Sequence, residues 1–229
     1  MDVDIIQNST GAITKTAIDR VYQELRQKII KGEFSPGERL KVETLKPLFD
    51  TGASPIREAL SLLTSNKLVD RIDQKGFRVS AVSEANFNEI FMLRCKLEDL
   101  ALRKSIELGD EVWEEKLILL HHRLSRTKME DFDLWEPLHK AFHMCLLEAC
   151  QSPILLSYCT NLYDQNIRYR FLAEKNSTYN SRDVRHEHDG VFNATINRKA
   201  DLAAELLIKH YTDTGTFLRE SFKAVGMTS

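Results

Sequence analysis

Asp50-Thr51-Gly52-Ala53-Ser54-Pro55-Ile56-Arg57-Glu58-Ala59-Leu60 is the stretch that decides the fold. Asp50-Thr51-Gly52 reads as a tight turn. Ser54 reads as a helix N-cap, whose hydroxyl accepts from an orphan amide of the first turn. Pro55 follows as the first helical residue, where a backbone donor is not needed. The helix continues through Ile56, Ala59, Leu60, Leu62 and Leu63 to about Asn66. Just upstream, a short helix over about 42–49 turns Val42, Leu45 and Leu48 or Phe49 inward. Pro47 within it removes one backbone donor and shortens or bends it. Two short helices joined by a glycine-containing turn predict a helix-turn-helix.

Outward from this pair, residues 16–31 set Ile18, Val21, Tyr22, Leu25 and Ile29 on one helical stripe, and Gly32 follows as a helix-ending residue. Glu33-Phe34-Ser35-Pro36-Gly37 is a turn. Residues 68–72 and 77–80 read as two short strands around Asp73-Gln74-Lys75-Gly76, with glycine where a positive φ is needed. Helix, helix-turn-helix and hairpin make a winged helix over residues 10–80. Its second helix would lie in the major groove of double-stranded DNA with its N-terminal end toward the bases. Arg57 projects from the face opposite Ile56 and Leu60. There it holds a guanine edge, clamps a phosphate, or is simply a solvated charge. Lys75 and Arg78 decorate the hairpin and reach the DNA backbone or minor groove. Backbone donors around Ser54 at the helix N-terminus suit a phosphate.

The charge distribution agrees. Residues 10–80 carry 13 Lys+Arg against 9 Asp+Glu, whereas residues 81–229 carry 19 against 23. A basic front and an acidic back predict two modules with different partners. The near balance over the whole chain excludes wholesale disorder and a polybasic tail. No apolar run approaches 18 residues, so no membrane span is expected. Met1-Asp2-Val3-Asp4-Ile5-Ile6-Gln7 lacks the basic and apolar regions of a secretion signal. Cys95, Cys145, Cys150 and Cys159 form no C-x-x-C pair and read as buried reduced thiols in helices. A cytoplasmic protein is expected.

Five segments occur in order and in register over about 50 residues: Ile29-Ile30-Lys31-Gly32, Pro36-Gly37-Glu38-Arg39-Leu40, Pro55-Ile56-Arg57-Glu58-Ala59-Leu60, Leu68-Val69 and Gly76-Phe77-Arg78-Val79. Together they resemble the winged-helix domain of the GntR family of bacterial transcription regulators. The resemblance implies DNA contact by Arg57, Lys75 and Gly76. One departure matters. The family usually has Ser-Arg-Thr before the proline, and this chain has Gly52-Ala53-Ser54. An arginine that often reads DNA is missing, so the operator need not follow the common family sequence.

Behind the linker Ser80-Ala81-Val82-Ser83, residues 83–223 read as helix almost throughout. Ser83 opens a helix whose inward stripe is Phe87, Ile90, Phe91, Arg94, Leu97, Glu98 and Ala101. Further helices cover about 110–127, 131–150, 153–175, 182–197 and 199–222, with breaks at Gly109, Ser152-Pro153 and Asn176-Ser177-Thr178. Six helices with short loops predict an antiparallel bundle. The fold class is mainly α: a winged helix-turn-helix followed by an all-α bundle.

Four of the seven histidines occupy inward positions on three helices. His139 and His143, four apart, share a stripe with Leu138, Phe142, Leu146 and Leu147. His188 shares one with Val191, Phe192 and Thr195, and His210 shares one with Ala203, Leu206 and Leu207. Buried imidazoles need partners. A divalent transition metal, zinc or nickel for nitrogen ligands, supplies one partner to all four; hydrogen bonds in the core are the alternative. His121 and His122 are adjacent, so at least one is at the surface, and His186 points away from His188. Arg94, inward on an apolar stripe, either pairs with Glu98 one turn on or grips the carboxylate of a small organic acid with its planar fork. Arg168 and Arg170 are further candidates for that acid.

The histidine pattern resembles the FCD ligand-binding domain of the FadR subfamily of the same regulators. That domain reads Asp-x-x-x-His, then a histidine, then another about 22 residues later. Phe142-His143, His188 and His210 match, and His139 stands where the family has its metal-binding aspartate. The resemblance implies a metal centre beside a carboxylate metabolite. Histidine for aspartate removes a negative charge and favours a softer ion, or leaves a pocket held by histidines alone. Leu138-His139-Lys140-Ala141-Phe142-His143 and Arg168-Tyr169-Arg170-Phe171 are similar to segments of glutarate-sensing regulators, which implies a short dicarboxylate. The function expected is transcription regulation, as a repressor, by a homodimer whose operator affinity responds to the acid. A metal-dependent enzyme acting on a small organic acid is the alternative, though no H-E-x-x-H or similarly placed general base accompanies the histidines. A DNA-binding oligomer without ligand is the third reading.

Overall fold

In a computed structural model, residues 16–174 and 183–224 are described. The proposed break at Asn176-Ser177-Thr178 and residues 10–15 of the front module lie outside them. The first helix, α1 (Ala17–Ile30), opens on a reciprocal cap. Thr16 accepts from the Asp19 amide, and the Asp19 carboxylate accepts from the Thr16 amide. It closes at Gly32, φ +65°, where Gly32 N–H bonds Ile29 O and Glu33 N–H bonds Lys28 O. Those two bonds satisfy the last carbonyls of the helix, and glycine adopts the left-handed φ without a Cβ penalty.

Next come β1 (Arg39–Leu40), α2 (Val42–Leu48), α3 (Ala53–Ser65), β2 (Val69–Ile72) and β3 (Gly76–Val79). The strands form one antiparallel sheet in the order β1-β3-β2, with Asp70 and Arg39 each opposite Arg78. The third strand, β1, was not anticipated: two residues are too few to show alternation. Buried Val21, Leu25, Leu45, Phe49, Ile56 and Leu60 form the core between α1, α3 and the sheet. Phe49, not the exposed Leu48, is the inward residue at the end of α2.

Ser54 is not the N-cap of α3. The helix starts at Ala53, with Gly52 as an extended cap without a side-chain hydrogen bond. The helix therefore begins two residues earlier than Ser54 predicted, at Ala53 instead of Pro55. Ser54 lies in the first turn, and its hydroxyl instead bonds Glu58 Oε1 at 3.0 Å.

The second module is a bundle of α4 (Glu84–Leu108), α5 (Glu111–Arg126), α6 (Phe132–Glu148), α7 (Pro153–Glu174), α8 (Val184–Ile196) and α9 (Ala200–Ala224). Ser83 caps α4 as expected, accepting from the Asn86 amide at 3.1 Å. Gly109 ends α4 where a Cβ would come within 2.1 Å of the Trp113 ring, so the α4–α5 turn needs glycine for close approach. Trp113 is held by a hydrogen bond from its ring N–H to Cys145 O at 2.6 Å. Leu102, Phe142, Leu146 and Leu207 are fully buried around it. Burial pushes the Cys145 and Cys159 thiols up to about 12, which keeps them unreactive. Among the described residues, no helix is long and apolar enough to cross a membrane.

The two modules are joined by a buried charge cluster. Arg26 of α1 bonds both oxygens of Asp164 on α7, Nε to Oδ2 at 2.6 Å. Its NH2 also lies 3.6 Å from Glu136 of α6. Lys140 of α6 reaches Asp164 Oδ1 at 2.6 Å. Lys31 pairs with Asp133 at the rim.

Candidate functional site

His139 and His143 lie one turn apart on α6, His188 on the second turn of α8, and His210 in the middle of α9. All four are buried. One ring nitrogen from each can be chosen so that all four lie within 4.8 Å of one another. His143 Nε2 is 3.1 Å from His139 Nε2 and 3.3 Å from His188 Nε2. Two nitrogens each 2.0–2.1 Å from one ion, at angles between octahedral and tetrahedral, lie roughly 2.9–3.4 Å apart. The observed spacing therefore fits the edges of a coordination polyhedron.

The outer nitrogens are held. His139 Nδ1 is 2.7 Å from the Tyr163 hydroxyl, His143 Nδ1 3.1 Å from the Tyr211 hydroxyl, and His210 Nδ1 2.6 Å from Glu187 Oε2. Partners of this kind orient ring ligands and direct the inner lone pair inward. Burial, reinforced by the other ring histidines, holds His139 and His143 well below the ordinary histidine value. Neutral imidazoles are what a metal requires.

Trp135 stacks on His139 with centroids 4.2 Å apart, and the Arg170 guanidinium lies 4.6 Å above the same indole. Arg94 Nε bonds Glu98 Oε1 at 2.7 Å, and its NH1 bonds Asn166 Oδ1 at 2.9 Å. Burial works against the Arg94 charge, but Glu98 keeps it more firmly protonated than a free arginine. A narrow cavity between α4, α7 and α9 is lined by Arg94, Arg170, Asn166, His139 and His210. Its volume of about 20 Å³ holds roughly one water, so an organic acid enters only if those helices part. A larger cavity of about 210 Å³ meets His188 from the α5–α8 side, beside Trp135 and His121.

The sequence candidates are thus partly brought together. Arg94 and Arg170 line the cavity next to the histidines. The Arg94–Glu98 ion pair exists as well, so the two readings of Arg94 are not exclusive. Arg168 is a correction: its NH2 donates to Ser80 O at 2.7 Å, at the end of the wing and away from the cavity. One turn of a helix separates Arg168 from Asp164, and both face the front module, while Arg170 is turned inward. His121 is half-buried, stacked on Phe192 and 2.8 Å from Asp189; His122 and His186 are exposed. Tyr163, Asn166, Tyr211 and Glu187 were not singled out. Tyr163 and Asn166 carry no local pattern, whereas Tyr211 adjoins His210 and Glu187 adjoins His188.

On the front module, Arg57, Ser54, Lys75 and Gly76 are exposed. Gly76 has φ +87°, the left-handed conformation the hairpin turn demanded. Arg78 lies in mid-strand, 3.8 Å from Asp70, which draws it back from the hairpin tip.

A winged helix-turn-helix joined to a helical bundle with a four-histidine centre defines a two-module regulator. The sequence matches the bacterial regulatory proteins of the gntR family over residues 17–79 and the FCD domain over residues 89–213. The chain belongs to the GntR family and carries an FCD domain. It is 33% identical over 216 residues to the HTH-type transcriptional regulator BphR of Paraburkholderia xenovorans, covering 91% of this chain and 88% of that one. It is 32% identical over 206 residues to the HTH-type transcriptional repressor GlaR of Escherichia coli, covering 86% and 93%. The solved structure of E. coli McbR/YncC superposes with a TM-score of 0.79 at 18% identity, covering 90% and 99%; this likeness concerns the fold.

Proposed function

We propose that the protein is a homodimeric transcriptional repressor whose hold on an operator is released by a small carboxylate, bound beside a divalent transition metal on His139, His143, His188 and His210. Residues 10–80 form the DNA-reading unit and residues 83–223 the effector and dimerisation unit. The observation that carries the reading is the convergence of four buried imidazoles next to Arg94 and Arg170. The relative named a repressor supports the sign of regulation. For the dimer, α4 leaves Met92, Leu93 and Leu100 exposed, and the neighbouring α7 leaves Ile154 and Tyr158 exposed, an apolar surface suited to a second copy.

The donor set fits zinc or nickel, which would supply a Lewis-acidic anchor for the acid. The residues of this chain do the rest. Arg170 offers its guanidinium to the carboxylate, and Asn166 and Arg94 close the other side. α7 presents Tyr163, Asn166 and Arg170 to the cavity and Asp164 and Arg168 to the front module. A helix displaced by the acid therefore moves the contacts that hold the winged helix, and the linkage is reciprocal: DNA weakens the acid as the acid weakens DNA.

On operator DNA selected from random duplexes, Arg57→Ala is expected to weaken binding by about 1–3 kcal/mol and relax one base position if it reads a base. Lys75→Ala is expected to weaken all sequences alike and lower the salt slope by about 1. If folded variants of both kinds bind as wild type in gel shifts, the wing and α3 are not the DNA reader.

With glutarate as probe acid, Arg170→Gln is expected to raise the concentration for half-release at least tenfold, about 1.4 kcal/mol, with DNA binding before addition unchanged. Arg94→Ala is a poorer test because it strands the Glu98 carboxylate in the core. A normal glutarate response in the Arg170 variant removes Arg170 from the effector site. No response to glutarate in wild type removes the short dicarboxylate.

A further inference from the structure

We infer that Tyr211 and Glu98 are positioning residues that fix the proton of His143 on Nδ1 and so keep its Nε2 lone pair turned into the four-histidine centre. The inference deepens the metal reading and rests on it for its consequence, though not for its geometry.

A hydrogen-bonded chain of fixed direction starts at Arg94 and runs through Glu98 and Tyr211 to His143. A guanidinium can only donate. Arg94 donates Nε to Glu98 Oε1 at 2.7 Å and NH2 toward Oε2 at 3.4 Å, so Glu98 is the acceptor. Glu98 is 0% exposed. Its Oε2 also accepts from the Tyr211 hydroxyl. A phenol has one proton, and Tyr211 has spent it on Glu98. The remaining contact of that hydroxyl, 3.1 Å to His143 Nδ1, must then run the other way: Nδ1–H donates to the Tyr211 oxygen.

A neutral imidazole with its proton on Nδ1 carries a lone pair on Nε2. That nitrogen is the one 3.1 Å from His139 Nε2 and 3.3 Å from His188 Nε2. Were the chain reversed, with Tyr211 donating to Nδ1, the proton would lie on Nε2 and point at the two neighbouring ring nitrogens. His143 would then have to lose or move that proton before ligating. The position of the arginine thus decides the tautomer of a histidine three links away. The same Arg94 lines the cavity proposed for the acid, so the acid site and the metal site share one hydrogen-bonded chain.

The test uses the full-length chain, metal-stripped, with 15N-labelled histidine. Long-range 1H–15N spectra read the tautomer of each ring, and competition with a zinc-binding dye reads Zn2+ affinity. Wild type should show His143 as the Nδ1–H tautomer. Tyr211→Phe keeps the ring and removes only the oxygen. It should convert His143 to a mixture or to Nε2–H and weaken Zn2+ by about 10–100-fold. Glu98→Gln, whose amide can donate to Tyr211 and reverse the chain, should shift the same resonances in the same direction. Glu98→Gln combined with Tyr211→Phe should bind Zn2+ no more weakly than Tyr211→Phe alone, because Glu98 acts through Tyr211. A folded Tyr211→Phe protein with unchanged His143 resonances and unchanged Zn2+ affinity overturns the inference. If Tyr211→Phe does not fold, the Glu98→Gln spectra decide. If wild type takes up no Zn2+, the metal reading falls, and the tautomer in metal-free protein still decides the positioning role.

Discussion

Changing both His143 and His188 to alanine is expected to abolish stoichiometric metal and to erase any difference in melting temperature with and without chelator. Two of the four imidazoles then remain, on α6 and α9, and neither α8 nor the central nitrogen of the cluster reaches the ion. In wild type, an ion bound only by the folded chain at a hundred times its Kd adds about 2.7 kcal/mol. For a chain of this size that raises the melting temperature by roughly 5–10 °C. The chelator difference is the quantity to compare, since alanine at a buried histidine also leaves a cavity. His186→Ala, at an exposed position, should leave metal content and melting unchanged. His139→Asp should retain metal and shift preference toward harder ions such as manganese.

The pH dependence has a definite sign. His139 and His143 are held below the ordinary value of 6.5, chiefly by burial. Unfolded chains take up protons below that value which the folded cluster refuses. Their contribution to stability is therefore present above about pH 6.5 and lost progressively as pH falls toward the depressed folded values. Metal should leave in the same direction, because protonated imidazole cannot ligate. Protein that cannot be loaded with zinc, nickel, cobalt, copper or manganese, and melts alike with chelator, would leave the histidines as direct hydrogen-bond partners of the acid.

What was legible in the sequence was whatever repeats at short range. The α3 stripe of Ile56, Ala59, Leu60 and Leu63, the glycines at 32 and 76, and the inward histidines all follow from a helical or turn period. They brought four rings from three helices to one point because each helix has only one apolar face to bury. Ser54 misled because serine before proline is a strong local signal, yet the helix begins at Ala53 with extended Gly52 as its cap. Arg168 misled because Arg168 and Arg170 are two apart on α7, about 200° around the axis, and so face opposite ways. Only the contact with Ser80 reveals which of them faces the wing. The tyrosines and carboxylates behind the histidines were hidden for a related reason. Their role is set by partners 23 to 113 residues away, and a single sequence carries no trace of such pairing.

Arg26→Met is expected to cost about 3–5 kcal/mol of stability, read from denaturant unfolding of the full chain. Arg26 is 3% exposed, and its two acidic partners Glu136 and Asp164 are 1% and 2% exposed at the side chain. Burial opposes the Arg26 charge, but its hydrogen bonds to Asp164 and the charges of Asp164 and Glu136 hold it protonated. Without Arg26, Asp164 keeps Lys140, whose own charge is already disfavoured by burial. Among the described residues, Glu136 keeps as a hydrogen-bond donor only the Gln27 amide at 3.3 Å, with the Lys140 charge nearby, and its Oε1 already lacks a hydrogen bond. The large cost is thus that of a stranded carboxylate, not the worth of the pair. Replacing all three, Arg26→Met with Glu136→Leu and Asp164→Leu, should recover most of the loss, because well-packed apolar groups of similar size match a buried ion cluster in stability. The triple variant separates two roles. If the single substitution costs under about 1 kcal/mol, the cluster is hydrated and does not lock α1 against α6 and α7. If the single is costly and the triple is stable, the charges serve to fix how the winged helix is held. Arg26→Met should then raise amide hydrogen exchange along α1 while leaving α8 protected, since α8 makes none of these contacts.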